Sequence, residues 1–561
     1  MHHFCHSFWK NPFPRPLFPF ISLLVAGLLP GCEEPPRKSA ETRPLNILLL
    51  VADDLGYADL GCYGGDIETP NIDALAARGV RFSRFHTAVM CAPTRAMLLS
   101  GTDHHLAGMG FQGFQSGDFG YEGRLTDRII PIPELLSRAG YHTYMAGKWH
   151  LGSDSLSNPR HKGFERSFVN LGGAGSHYTD TGFHPSLPVT RYTEDGKPAD
   201  WTEGSYTTDF YTEKLLEYMK GNQGDERPFF AFAAFTSPHW PLQVDAAYWH
   251  PYRGRYDDGY EALKARRLAS LKQAGMIPAE AGLPESHPRV KPWASLPPEQ
   301  QREEARKMEL YAGMVANLDY NVGRLIAYLK ESGQYEHTLI VFMSDNGAAA
   351  EDFYYQEPFA TFIQPNYDNS YENMGKPNSF VSYGPQWAEA GSAPFRYFKG
   401  LTTEGGIVAP MVIAGPGVTG AGSISEALVT VMDLAPTFYA FADVTYPESL
   451  DGKDKVPLRG TSLLPLLSGS APQVHGPEYV YGLEHGQRGM VRKGSWKLTH
   501  YQQPFDEANF GLYNLDNDLA EQLDLRDSLP DTYADMLSEW HAFAEEIQAN
   551  LSGVSGEDLD E

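Results

Sequence analysis

From Leu45 onward, short apolar runs alternate with stretches of helical periodicity, which restricts the chain to a fold assembled from strand–helix–strand units. The clearest runs are 47–52 (ILLLVA), 143–146 (TYMA), 229–235 (FFAFAAF), 339–343 (LIVFM) and 411–414 (MVIA). Uninterrupted apolar runs are what a parallel sheet covered by helices on both faces requires. The expected class is therefore α/β, with a large, mostly parallel central sheet sandwiched by helices.

Four of these runs lead into residues capable of site chemistry. The first runs into Asp53-Asp54, the second into Lys148 and His150, the third into His239, and the fourth into Asp345-Asn346. Open parallel sheets bind ligands beyond the carboxyl ends of their strands, so parallel pairing would gather these clusters on one rim. Taken singly, each has a plainer reading: an acidic pair caps a helix, Asp-Asn-Gly makes a turn, and a lone His is solvated. Four together point to a site.

Residues 244–298 form a long insertion rich in Tyr, Arg and Pro. A helix is expected over 303–330, with Met308, Ala312, Val315, Leu318, Val322 and Leu325 on its apolar stripe. Near 470 the pattern changes to short runs at 478–483, 489–491, 496–499 and 512–514, followed by a helical stretch over 531–548. This reads as a domain over 44–470 and a smaller C-terminal α+β unit over 471–561, made of an antiparallel sheet plus a helix.

At the N-terminus, His2, His3, His6, Lys10 and Arg15 precede a thirteen-residue apolar run, 17–29, then Pro30, Gly31 and Cys32. The run is shorter than the about 20 residues that span a bilayer but suits a signal-peptide core. Leu29-Pro30-Gly31-Cys32 resembles a bacterial lipobox, although Pro30 stands where a small residue is usual. The expectation is a signal peptide over 1–31, lipidation of Cys32, a polar tether over 32–43, and export to the periplasm or to an outer-membrane-anchored lipoprotein of a bacterium. A plain signal peptide is the alternative. The body then retains Cys62 and Cys91; a disulfide between them is the plain alternative in an exported protein, but the motif around Cys91 explains that residue better. With 45 basic against 71 acidic residues the formal charge is −26, so nucleic acid is not an expected partner.

Residues 91–101 read CAPTRAMLLSG. Pro93 suits the first turn of a helix, which places Cys91 at a helix N-terminus where free N–H groups favour negative charge. Arg95, four residues on, lies one turn along the same face. Cys-x-Pro-x-Arg followed by an apolar run and Gly resembles the signature of the sulfatases, formylglycine-dependent enzymes of the alkaline-phosphatase-like superfamily. The resemblance extends through Gly147-Lys148-Trp149-His150, Ser237-Pro238-His239, and Lys399 with Glu404-Gly405-Gly406, and 100–105 (SGTDHH) is most similar to the bacterial arylsulfatases.

The resemblance implies that a formylglycine-generating enzyme oxidises Cys91 and that Asp53, Asp54, Asp345 and Asn346, with the modified residue 91, hold one divalent cation. An all-oxygen shell favours Ca2+ and leaves Mg2+ open. It further implies that the formylglycine hydrate attacks sulfur after losing a proton to Asp345. Arg95, Lys148, His239 and Lys399 steady the sulfate, His239 protonates the leaving alcohol with help from Lys399, and His150 takes the proton when the aldehyde re-forms. Glu404 braces the Lys399 loop. His86, His104, His105, His142, His161, His177 and His184 read as loop or surface residues, and Cys62 as a small core residue. The walls are sought in 158–201, 244–298 and 351–393, where Trp249, Tyr354 and Tyr355, with Trp240 just ahead of the second segment, suit an aryl alcohol. The competing functions are a phosphonate or phosphate ester hydrolase on the same scaffold, and a lipid-anchored binder of sulfated polymers that does not cleave them.

Overall fold

The computed structural model describes residues 44–112 and 115–552, so the segments expected as signal peptide and tether, with Cys32, lie outside it. Ten strands form the central sheet: Asn46–Ala52 (β1), Val80–Phe82 (β2), His142–Lys148 (β3), Arg166–Asn170 (β4), Tyr192–Glu194 (β5), Lys197–Ala199 (β6), Phe229–Ala234 (β7), Thr338–Ser344 (β8), Met411–Ala414 (β9) and Ser423–Ser425 (β10). Their order is β10-β2-β9-β8-β1-β7-β3-β4-β5-β6. The middle strands β8, β1, β7, β3 and β4 are parallel. At the flanks the pairing changes: β9 runs antiparallel to β8 and to β2, and β5 runs antiparallel to β4 and β6. Strands β1, β3, β7 and β8 are buried along their whole length, which is why they read as unbroken apolar runs.

Pro70–Arg78 (α1) lies against this sheet, Cys91–Ser100 (α2) packs on the helical segments at 104–107, 132–138 and 431–441, and Thr207–Gly221 (α3) lies on the sheet; α1 and α3 both pack on Pro298–Glu331 (α4). Helix α4 starts earlier than its apolar stripe predicts because Pro298 opens its first turn. Helix α2 is buried on every side, so it contributes to the core instead of covering it. Beyond residue 470 an antiparallel sheet of Val480–His485 (β11), Arg488–Lys493 (β12), Trp496–His500 (β13) and Gly511–Asn514 (β14) is packed by Pro530–Glu546 (α5). Val491, Leu498, Leu512, Trp540 and Phe543 form its small core, while Tyr481, Leu483 and Met490 join the main one. No described helix is long and apolar enough to cross a membrane.

Candidate active site

The parallel register aligns β8, β1, β7 and β3, so the segments that follow them meet at one rim. After β1, the Asp53 N–H donates to the Ser237 carbonyl (3.1 Å), and the Leu55 N–H to Ser344 Oγ (2.9 Å). Between them Asp54 takes left-handed backbone (φ 65°), as does His150 (φ 58°) beyond β3. Non-glycine residues adopt that region rarely and at an energetic cost, so the surrounding bonds must hold them there. Gly147 serves the same rim differently: a Cβ there would sit 1.8 Å from the Ala234 carbonyl oxygen, so only glycine allows β3 this close to β7.

The three carboxylates are enclosed by three cations. Lys148 Nζ donates to both Asp53 oxygens (2.9 and 2.8 Å). Lys399 Nζ donates to Asp54 (2.8 Å), which also accepts from Asn346 Nδ2 (2.6 Å) and faces His239 Nε2 at 3.4 Å. Arg95 places Nε and Nη2 on Asp345 Oδ2 (3.0 and 2.7 Å) and Nη1 on the Lys148 carbonyl (2.9 Å). Cys91, the first residue of α2, lies with Sγ 3.7 Å from Asp54 Oδ1. All these side chains are buried.

Burial disfavours the Asp54 carboxylate, but Lys399, His239 and Lys148 outweigh it and hold its pKa well below the usual range. Asp345 moves the other way, to about 6, because burial and the Asp53 charge prevail over Arg95 and Lys148. Burial keeps Cys91 a neutral thiol, against the pull of Lys148 and Lys399. His150 is held well below its ordinary pKa by burial and by Lys148, Arg95 and Lys399. His239 is lowered by burial and by Lys399 and Lys148, although Asp54 opposes this.

The donor set fits a hard divalent cation. Ligand atoms of Asp53, Asp54, Cys91 and His239 lie within 4.8 Å of one another, and Asn346 Oδ1 is buried without a hydrogen-bond partner. Three carboxylates and an amide carbonyl supply the oxygens that Ca2+ or Mg2+ takes.

The family model described as Sulfatase matches residues 45–444. The chain belongs to the sulfatase family. A second model, N-sulphoglucosamine sulphohydrolase, C-terminal, matches 395–548. This sulfatase is 40% identical to an arylsulfatase of Klebsiella aerogenes over 79% of its length and 94% of the relative's. It is also 40% identical to an uncharacterized sulfatase of Schizosaccharomyces pombe over 91% of its length and 95% of that protein's. Its fold is similar to Ps i-CgsB, solved in complex with k-i-k-neocarrahexaose, with a TM-score of 0.66 at 25% identity over 92% of this chain and 96% of that one. The protein is thus a sulfuric ester hydrolase with the alkaline-phosphatase-like architecture.

In the sulfatase, the residues singled out by sequence (Asp53, Asp54, Cys91, Arg95, Lys148, His150, His239, Asp345, Asn346 and Lys399) face one another across this rim. Several sequence readings need correction. Lys148 is the last residue of β3 and not part of a loop after it. Arg95 points to Asp345 and the Lys148 carbonyl and makes no hydrogen bond to Cys91. No disulfide joins Cys62 and Cys91, and Cys62 is half-buried, its N–H donating to Asp73. His86, His104, His105, His142 and His177 are buried and bonded, not surface residues. Trp249 stacks on Arg306 (4.1 Å), away from the rim, and the insertion sends Arg267 inward to Asp59 (2.6 Å). Asp59 in turn accepts from Gly56 N–H (2.8 Å) and Tyr311 (2.6 Å), bracing the loop that carries Asp54.

Glu404 accepts from Lys497 (2.7 Å) and pairs with His86 (3.0 Å), and its N–H donates to Glu521 (2.7 Å), which ties its turn to the C-terminal sheet. No sequence pattern marked Gln112, whose Oε1 accepts the Ala92 N–H at the start of α2 (3.1 Å), or Glu351, 3.8 Å from Lys399. Neither sits in a motif. Trp240 does follow one, and its ring lies 4.2 Å from that of His239 and packs edge-on to Phe183 and Phe353.

Proposed function

We propose that this sulfatase hydrolyses aryl sulfate esters to a phenol and inorganic sulfate, with formylglycine formed from Cys91 and one Ca2+ held by Asp53, Asp54, Asp345 and Asn346. The observation that carries the reading is the packing of residue 91, at a helix N-terminus, against three carboxylates and three buried cations. When present, the cation would neutralise the clustered carboxylates and acidify a neighbouring oxygen, and formylglycine would supply that oxygen as the nucleophile.

The chain's own side chains account for the rest. Arg95, Lys148 and Lys399 bring positive charge to the place where sulfate oxygens gain negative charge. His239 Nδ1–H donates to the Trp240 carbonyl (2.7 Å), which turns Nε2 toward Asp54 and the site; Nε2 can deliver a proton to the departing oxygen only from the protonated ring, the form that the Asp54 charge favours. His150 keeps Nδ1 buried without a partner and its ring against Gly173, placed to accept a proton as the site resets. Asp345, held by Arg95 at the rim, is placed to serve as the other proton acceptor. Trp240, Phe183, Phe353 and Phe359 form an aromatic wall beside His239 that suits a flat apolar leaving group.

Peptide mass spectrometry across residue 91, with parallel rates on nitrophenyl sulfate and nitrophenyl phosphonate esters, tests this. An aldehyde at 91 and faster sulfate release support it, whereas an unmodified Cys in active enzyme, or faster phosphonate cleavage, overturns it. The proposal extends to a formylglycine-generating enzyme as maturation partner, and to an exported lipoprotein anchored through Cys32. The support for export is the apolar run over 17–29 and the Leu29-Pro30-Gly31-Cys32 sequence.

A further inference from the structure

A cleft of about 550 Å³ opens between segments 122–134, 156–162 and 450–455, and no residue assigned above to catalysis lines it. Its acidic residues are already committed. Glu122 binds Arg128 (3.1 Å from Nη2), and Asp127 binds Lys453. Glu134 and Asp451 share Arg138 (3.2 and 2.7 Å). Among its basic residues, Arg124 is paired with Asp154 (2.7 Å), and Lys455 Nζ has only the Asp127 carbonyl (2.6 Å).

Lys162 is different. It is 8% exposed and lines the cleft; its side chain makes no hydrogen bond or ion pair among the described residues, while its backbone N–H donates to the Asn158 and Pro159 carbonyls. Its stem is buried and its ammonium has no partner among the described residues, so the charge stands ready to pair with an anion that enters the cleft. Burial depresses the Lys162 pKa, and the nearby charges of Glu134, Asp127 and Asp154 only partly offset this. In a chain of formal charge −26, this cleft holds a basic group that no described carboxylate pairs with directly.

We infer that this cleft is a second oxyanion site, which seats a sulfate or carboxylate group against Lys162 with Lys455 and Arg124 at its mouth. The volume accommodates one anionic sugar unit as readily as a free ion. Two sources share this chemistry: inorganic sulfate, and a sulfate borne on an oligosaccharide.

The test compares the wild-type enzyme with Lys162→Met and with the charge-conserving Lys162→Arg. Crystals soaked in selenate should show an anomalous peak about 3 Å from Lys162 Nζ, absent in Lys162→Met and restored in Lys162→Arg. Turnover of nitrophenyl sulfate should stay within about twofold in both variants, which also shows that they fold. Affinity for a heparin-derived sulfated tetrasaccharide, measured by calorimetry, identifies the source. A loss of about tenfold in Lys162→Met, close to 1.4 kcal/mol, assigns a sugar-borne group, and unchanged affinity alongside the selenate peak assigns free sulfate. No peak in the cleft when the catalytic site is filled, or an equal peak in Lys162→Met, overturns the inference. Neither outcome bears on the catalytic reading, which rests on other residues.

Discussion

His105 is a buried imidazole held between two carboxylates: Nδ1 lies 3.1 Å from Asp103 Oδ1 and Nε2 3.0 Å from Glu484 Oε2. It is 0% exposed. Burial alone would lower its pKa, but the bonds to Asp103 and Glu484 prevail and raise it to about 9. A pKa raised on folding stabilises the native state fully below the unfolded value, near 6.5, and this contribution disappears as pH rises through the folded value. The rise from 6.5 to about 9 corresponds to about 3 kcal/mol, with about half gone by pH 8. Against burial, His104 and the bond to His105 hold Asp103 below its usual range, and the His105 share is the same interaction and adds no further stability. Urea unfolding of the wild type and of His105→Gln between pH 6 and 10 measures the effect. The wild type should be the more stable by about 3 kcal/mol at pH 6, and the two curves should converge by pH 10. Parallel curves across that range would show that His105 is neutral in the fold and refute the reasoning.

Lys497→Met should cost about 3–5 kcal/mol in denaturant unfolding, because Lys497 is 0% exposed and separates the Glu404 and Glu521 carboxylates at 2.7 and 2.8 Å; a loss under about 1 kcal/mol would mean the network tolerates its removal. Cys91→Ser should abolish nearly all turnover of nitrophenyl sulfate while leaving the melting temperature close to wild type, and a near-normal rate would exclude the aldehyde. Dialysis against a chelator should remove activity and lower the melting temperature, with both restored by added Ca2+, because a ligand that binds only the folded state stabilises it; an unchanged enzyme would dismiss the cation. Trp240→Ala should raise KM for nitrophenyl sulfate about tenfold, or about 1.4 kcal/mol, while leaving inhibition by inorganic sulfate unaltered, and an unchanged KM would remove the aromatic wall from substrate binding.

Much of the site was legible because its residues follow strands that are buried on both faces. Runs such as ILLLVA and LIVFM announce themselves, and the polar residues that end them stand out by contrast. The antiparallel placement of β9 was not legible, since strand order and direction depend on partners far away in sequence and leave no local mark. The buried histidines were misread for the same reason. His105 sits in a polar string, and what makes it structural is a carboxylate 379 residues away. Asp59, Tyr311 and Arg267 escaped notice because each belongs to an unremarkable segment until the fold places them under the Asp54 loop.

Residue 91 is 1% exposed, enclosed by the first turn of α2, the strand ends and the Lys399 loop. An enzyme that alters this side chain has to bring its own active site to the Cβ and sulfur atoms, and a residue 1% exposed leaves room for a small substrate but not for a second protein. If residue 91 is oxidised as proposed, the edit would have to precede collapse of the core, on a chain still extended enough to present CAPTR as a linear tag. Maturation and folding would then be a race, and a molecule that closes too early would keep an unmodified thiol. Heterologous production would then be limited by the timing of that encounter more than by the stability of the product.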